Sequence, residues 1–120
     1  MPKFDSESLY ERFYDFALSC QRLTLTIPKN IYNIEYSKQL IRSSASVPGN
    51  YIEAIESLGK KDFVYRLKVC RKEARESLQW LRLIQDTNKN IDVSKLIKEA
   101  DELIRILTSS IINTEKGMAK

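Results

Sequence analysis

Lys61, Lys68, Arg75 and Arg82 recur every seven residues, with Arg71 and Lys72 beside them. At about 100° per residue, a helix gathers these six cations into one stripe. Ammonium and guanidinium groups aligned in this way bind anions, above all the phosphates of RNA or DNA. The excess charge is concentrated in the same stretch. Residues 60–89 carry nine basic and four acidic side chains, whereas residues 28–59 carry three of each and residues 90–120 carry five of each. Residues 1–27 carry three basic and four acidic. The stripe also reads as an ordinary solvated face: Asp62 with Arg66, and Lys72 with Glu76, stand four apart, the spacing of surface ion pairs. At the level of sequence both readings stand.

Catalytic chemistry has little to work with. The chain has no histidine, which removes the usual general base and the Glu-x-x-His ligand pairs of di-iron bundles. It has no phosphate-binding glycine loop and only two cysteines, Cys20 and Cys70, too few for a zinc cluster. Glu53, Glu73 and Glu76 are scattered carboxylates. The expectation is a protein without enzymatic activity, cofactor or metal. Cys20 and Cys70 fall among apolar residues at helical spacing and are expected in the core as free thiols.

The elements that must carry the stripe follow from periodicity. With three Gly and three Pro in 120 residues, the uninterrupted segments are long. Segment one, about Ser6 to Thr26, spaces Leu9, Phe13, Phe16, Cys20 and Leu23 alternately by four and three, and Ile27 follows. Pro28-Lys29-Asn30 breaks it. Segment two, about Ile31 to Leu58, places Ile34, Ile41, Ser44, Val47, Tyr51, Ile55 and Leu58 in the same rhythm. The rhythm crosses Pro48 without a change of phase, which predicts one helix kinked at Pro48. Segment three, about Lys60 to Asp86, has Phe63, Leu67, Cys70, Ala74, Ser77, Leu81 and Ile84 as its core series. Segment four starts near Asp92 and runs to a frayed end at Gly117, with Val93, Leu96, Ala100, Leu103, Leu107 and Ile111 facing inward. Four helices joined by short breaks predict a single all-α domain over 1–120, an antiparallel up-down-up-down four-helix bundle.

Segment three has a further arc. Tyr65, Val69, Trp80 and Leu83 lie off both the core series and the basic stripe. A monomeric bundle would leave this apolar strip wet, so it is expected to be an interface between copies. The alternative is that the bundle tilts to cover it.

Residues 39–54, Gln-Leu-Ile-Arg-Ser-Ser-Ala-Ser-Val-Pro-Gly-Asn-Tyr-Ile-Glu-Ala, carry a resemblance. Arg42, Ser46, Val47, Pro48, Asn50 and Glu53 resemble the hallmark of the bacterial four-helix-bundle proteins encoded in intervening sequences of large-subunit ribosomal RNA. Residues 70–78, followed by Trp80-Leu81, resemble that family's third helix, and Ile27-Pro28 also fits. One departure is that Glu53 is followed by Ala54, and glycine arrives only at Gly59, which predicts a longer second helix. The resemblance implies a four-helix bundle assembled as a ring-like homopentamer. It also implies kinship with the accessory variability proteins of diversity-generating retroelements, basic pentamers that bind nucleic acid and a reverse transcriptase. It implies no catalytic residue.

Two functions are compatible with these residues. One is an oligomeric scaffold holding nucleic acid through Lys61, Lys68, Arg71, Lys72, Arg75 and Arg82. The other is a protein-interaction or structural oligomer without a nucleic-acid ligand. No apolar run approaches the roughly 20 residues that span a bilayer. Met1-Pro2-Lys3-Phe4-Asp5 lacks the apolar core of a signal peptide, so no membrane partner is expected and the expected location is the cytoplasm.

Overall fold

Two apolar series interleave along residues 31–55, and the fold turns on which of them is buried. The computed structural model describes residues 6–119; the pentapeptide Met1–Asp5, with its expected lack of a signal peptide, lies outside them. Four α-helices make up the described chain: α1 (Ser6–Thr24), α2 (Ile31–Ile55), α3 (Lys60–Thr87) and α4 (Ser94–Met118).

In α2 the buried series is Asn33, Leu40, Ser43, Ser44, Val47, Pro48, Tyr51 and Ala54. The expected core positions Ile34, Ile41, Ile55 and Leu58 are exposed instead. Leu40, Val47 and Ala54 repeat every seven residues just as Ile34, Ile41 and Ile55 recur at seven and fourteen. The two series are one residue out of step, so periodicity alone does not choose between them. The expected cores of the other helices hold more closely. Phe13, Phe16, Cys20, Leu67, Cys70, Ala74, Ser77, Leu81, Ile84, Ala100, Leu103, Leu107 and Ile111 are all buried. Leu23, Phe63 and Leu96 are only partly buried, and Val64 is buried near Phe63. Phe13 meets Tyr51 edge-on, with ring centroids 5.0 Å apart. Each large apolar side chain fully buried in this way contributes on the order of 1.5–3 kcal/mol.

The helix ends have local causes. Asn30 caps α2, its side-chain oxygen accepting from the Asn33 N–H at 2.9 Å. Helix α2 stops at Ile55 rather than Leu58. The Ser57 N–H bonds back to the Ala54 carbonyl, and Gly59 then takes φ 112°, a backbone state open chiefly to glycine. The departure at Glu53-Ala54 therefore does not lengthen the helix to Gly59. Asp92 accepts from both the N–H and the hydroxyl of Ser94 and so starts α4 from just outside it.

Helix α2 is unbroken across Pro48. Proline offers no N–H to the carbonyl four residues back, at Ser44. Side chains add bonds nearby: the Ser46 hydroxyl donates to the Arg42 carbonyl, and the Asn50 amide donates to the Ser46 carbonyl, each at 2.8 Å.

Polar pairs fix how α2 lies on α3. Asn33 joins Asn88, Arg42 joins Glu73 and Glu76, Ser43 joins Ser77, and the Cys70 thiol donates to the Val47 carbonyl. Partner numbers fall on α3 as they rise on α2, so these two helices run in opposite directions. Lys68 with Glu115 and Arg71 with Thr108 give the same relation between α3 and α4. The Arg12 guanidinium ties α1 to α4, reaching Glu99 at 2.8 Å and Glu102 at 3.1 Å.

Candidate anion-binding face

Helix α3 carries the cations on the side away from its core series. Lys61, Lys68, Lys72, Arg75 and Arg82 are exposed, and Arg71 is partly buried. Lys68, Arg71, Lys72 and Arg75 line one shallow open hollow with Glu76 and Gln79. The fold thus brings the expected stripe together along one helix. It also neutralises part of it. Lys68 lies 3.3 Å from Glu115 on α4, and Lys72 lies 3.9 Å from Glu73. Arg71 donates to the Thr108 hydroxyl at 3.3 Å, which holds its guanidinium at the α3–α4 seam. Lys61, Arg75 and Arg82 make no ion pair among the described residues.

The two surface pairs read from four-residue spacing do not form. Asp62 instead accepts from the Leu58 N–H, and Arg66 lies over the Tyr65 ring at 5.5 Å. Glu76 turns to Arg42 at 3.1 Å. The acids that do meet the stripe are Glu115 and Glu73 instead.

The apolar strip expected on α3 is not uniformly bare. Tyr65 is exposed, but Val69, Trp80 and Leu83 are partly covered. Trp80 packs on the core, and its ring lies 6.0 Å from that of Tyr36 on α2. The bundle therefore covers much of the strip itself.

The motif residues on α2 brace the bundle. Arg42 reaches across to Glu73 at 3.4 Å and Glu76 at 3.1 Å. Ser46 and Asn50 bond to helix carbonyls, Val47 and Pro48 are buried, and Glu53 stands exposed. Glu73 is itself buried. Burial, followed by the neighbouring Glu76 carboxylate, holds its pKa above the usual carboxylate range, against the pull of Arg42 and Lys72. Burial also pushes both thiols, Cys20 and Cys70, up to about 12. They are protonated at neutral pH and therefore poor nucleophiles.

Sequence reasoning missed the cross-helix partners of Arg12, Arg42 and Asn33, because nothing in spacing along one helix identifies a partner on another. It also missed the bare apolar face of α2. The signal for that face was present in Ile34, Ile41 and Ile55, which were assigned to the core.

Among the described residues no group of three or more acidic, cysteine or histidine side chains could hold a metal ion. No described helix is long and apolar enough to cross a membrane.

Among solved structures, the chain is similar over most of its length to a protein known by its fold. This is a protein of unknown function from the S23 ribosomal protein family of Bacteroides thetaiotaomicron VPI-5482. The two share 25% identity and superpose with a TM-score of 0.75, covering 86% of this chain and 97% of the other. No curated protein matches. Residues 6–109 match the family described as 23S rRNA-intervening sequence protein. That span takes in α1, α2, α3 and most of α4, including the Arg42–Glu53 motif and the basic face, and the chain belongs to the 23S rRNA-intervening sequence protein family.

Proposed function

We propose that this chain is a non-enzymatic, self-associating scaffold that holds nucleic acid on the basic face of α3. One observation carries the reading: the exposed cations of α3 share one arc, and the chain's positive excess lies in that helix's stretch. Repetition of that face around a homo-oligomer would add the fields of successive copies. Five copies, a cytoplasmic location and a reverse transcriptase as a partner are proposed on family kinship alone. The face offers mainly ammonium and guanidinium donors, which suits phosphates rather than base edges.

A second reading is favoured by the ion pairs of Lys68 and Lys72 within the chain. In that reading the charge keeps a protein-interaction oligomer soluble, and no nucleic acid is bound. Titrating the protein with labelled RNA, single-stranded DNA and duplex DNA over a range of salt separates the two. Binding that weakens steeply with salt supports the first. No binding to any of the three at low salt supports the second.

A further inference from the structure

A second apolar surface left bare lies on α1 and α2 rather than on α3. Tyr10, Tyr14, Leu18, Ile41, Pro48 and Ile52 line an open groove between the two helices. Ile41 is 42% exposed, Ile52 46% and Tyr14 49%, and Ile55 continues the apolar line at 44%. Exposed Ala45 and Gly49 also line it, and small residues let another chain approach closely. A contiguous strip of this kind marks a contact surface.

Charge identifies the occupant. One end of the groove is rimmed by acid: Glu7 and Glu56 flank Tyr10, Ile52 and Ile55. The complementary surface is on the same chain. Tyr65, 59% exposed, stands on α3 with exposed Lys61 four residues before it and exposed Lys72 seven after it, all on one arc. An aromatic ring flanked by two ammonium groups fits an apolar groove closed by carboxylates. Groove and ridge belong to different sides of the bundle and cannot meet within one chain.

We propose that the α1–α2 groove of one copy receives the Lys61–Tyr65–Lys72 ridge of a second copy. This rests on the self-association reading above and gives it a surface. The contact is head-to-tail, so an open string of copies keeps one free groove at one end and one free ridge at the other until a ring closes. It uses one edge of the α3 arc and leaves Lys68, Arg71, Arg75 and Arg82 in solvent.

The test is sedimentation velocity, with far-UV circular dichroism to verify folding. Ile52→Glu and Tyr65→Glu are each expected to reduce the particle to one chain with helicity kept. Ile112→Glu, on exposed α4 surface, is expected to leave the assembly intact. Should either glutamate variant fail to fold, cysteine trapping decides. Oxidising a mixture of Ile52→Cys and Tyr65→Cys chains should give a covalent pair, and neither variant alone should do so. A monomeric wild type overturns both the self-association reading and this inference. A wild-type oligomer that tolerates Ile52→Glu or Tyr65→Glu overturns the inference only. Disulfide formation by Ile52→Cys alone would mean groove against groove and would overturn the head-to-tail contact.

Discussion

The carboxamides of Asn33 and Asn88 face each other across the end of the α2–α3 pair and exchange two hydrogen bonds, of 2.8 and 2.9 Å. Each amide also donates to a backbone carbonyl, Asn33 to Pro28 and Asn88 to Ile84. Both residues are buried. Every amide hydrogen of the pair thus has an acceptor, the condition under which a buried polar pair is tolerated.

Loss of one member is expected to cost more than loss of both. Asn88→Ala leaves Asn33 buried with unmet bonds and should destabilise by about 1–3 kcal/mol. Asn33→Leu combined with Asn88→Leu should cost less than the sum of the two single leucine variants. Urea unfolding of the four chains gives the coupling, and strict additivity would mean that the amides act independently.

Glu73 makes stability depend on pH in a direction unusual for a carboxylate. Its folded pKa is raised by burial, so the native state binds the proton more tightly than the unfolded chain does. The stability it contributes is present below the unfolded carboxylate pKa and is lost as pH rises through the folded value. Glu73→Gln should therefore have a higher Tm than wild type at neutral pH. The gap should close as the pH falls to about 4; Glu76 also lies 3.1 Å from Arg42, so the substitution does not strip Arg42 of its only carboxylate. A gap independent of pH would place the effect in packing rather than charge.

Trp80 tests the boundary between core and interface. From its sequence position, Trp80→Glu should dissociate an assembly and spare the helices. With Trp80 packed on the core beside Tyr36, the expected outcome is loss of folding. Trp80→Ala should destabilise the chain by about 2–4 kcal/mol. Trp80→Phe should cost much less, because the buried indole N–H has no acceptor among the described residues. Thermal melts of the three variants check this order.

Lys68→Glu with Arg75→Glu is the charge reversal that addresses the basic face. It should abolish nucleic-acid binding and leave the oligomer unchanged. Wild-type affinity should fall with salt by a log–log slope of roughly 0.7–0.9 per phosphate contacted. Lys95→Glu with Lys98→Glu, exposed on charge-balanced α4, should do much less. Equal losses from both double variants would mean that net charge alone matters.

Helix number, helix limits to within a few residues, and the inward faces of α1, α3 and α4 were legible in the order of apolar residues. So was the arc of basic side chains. The inward face of α2 was legible only in part: Ser44, Val47 and Tyr51 are buried as their spacing implied, whereas Ile34, Ile41, Ile55 and Leu58 are not. Its buried side chains also include Ser43 and Asn33, whereas isoleucines occupy its outer face, so at those positions hydrophobicity pointed the wrong way. Burial of that serine and that asparagine depends on partners, Ser77 and Asn88, that lie far along the chain, and periodicity within one segment carries no information about them. For the same reason Trp80 looked like a spare aromatic: the ring it packs against, Tyr36, lies 44 positions earlier in the chain.

The Ser43–Ser77 contact, 2.8 Å between hydroxyl oxygens, has a consequence for how the gene can change length. It stands between Asn33–Asn88 at one end of the α2–α3 seam and Cys70–Val47 toward the other. The three contacts work like marks on two rulers laid edge to edge. Adding a single codon between positions 33 and 43 turns the helix by about 100° and moves it 1.5 Å, so one mark can be aligned only by displacing the others. Substitutions on the outer face leave the marks untouched, whereas insertions and deletions in this stretch do not. Length variation should therefore collect at the connections around Pro28, Gly59 and Asn90, where no helix has to be rephased.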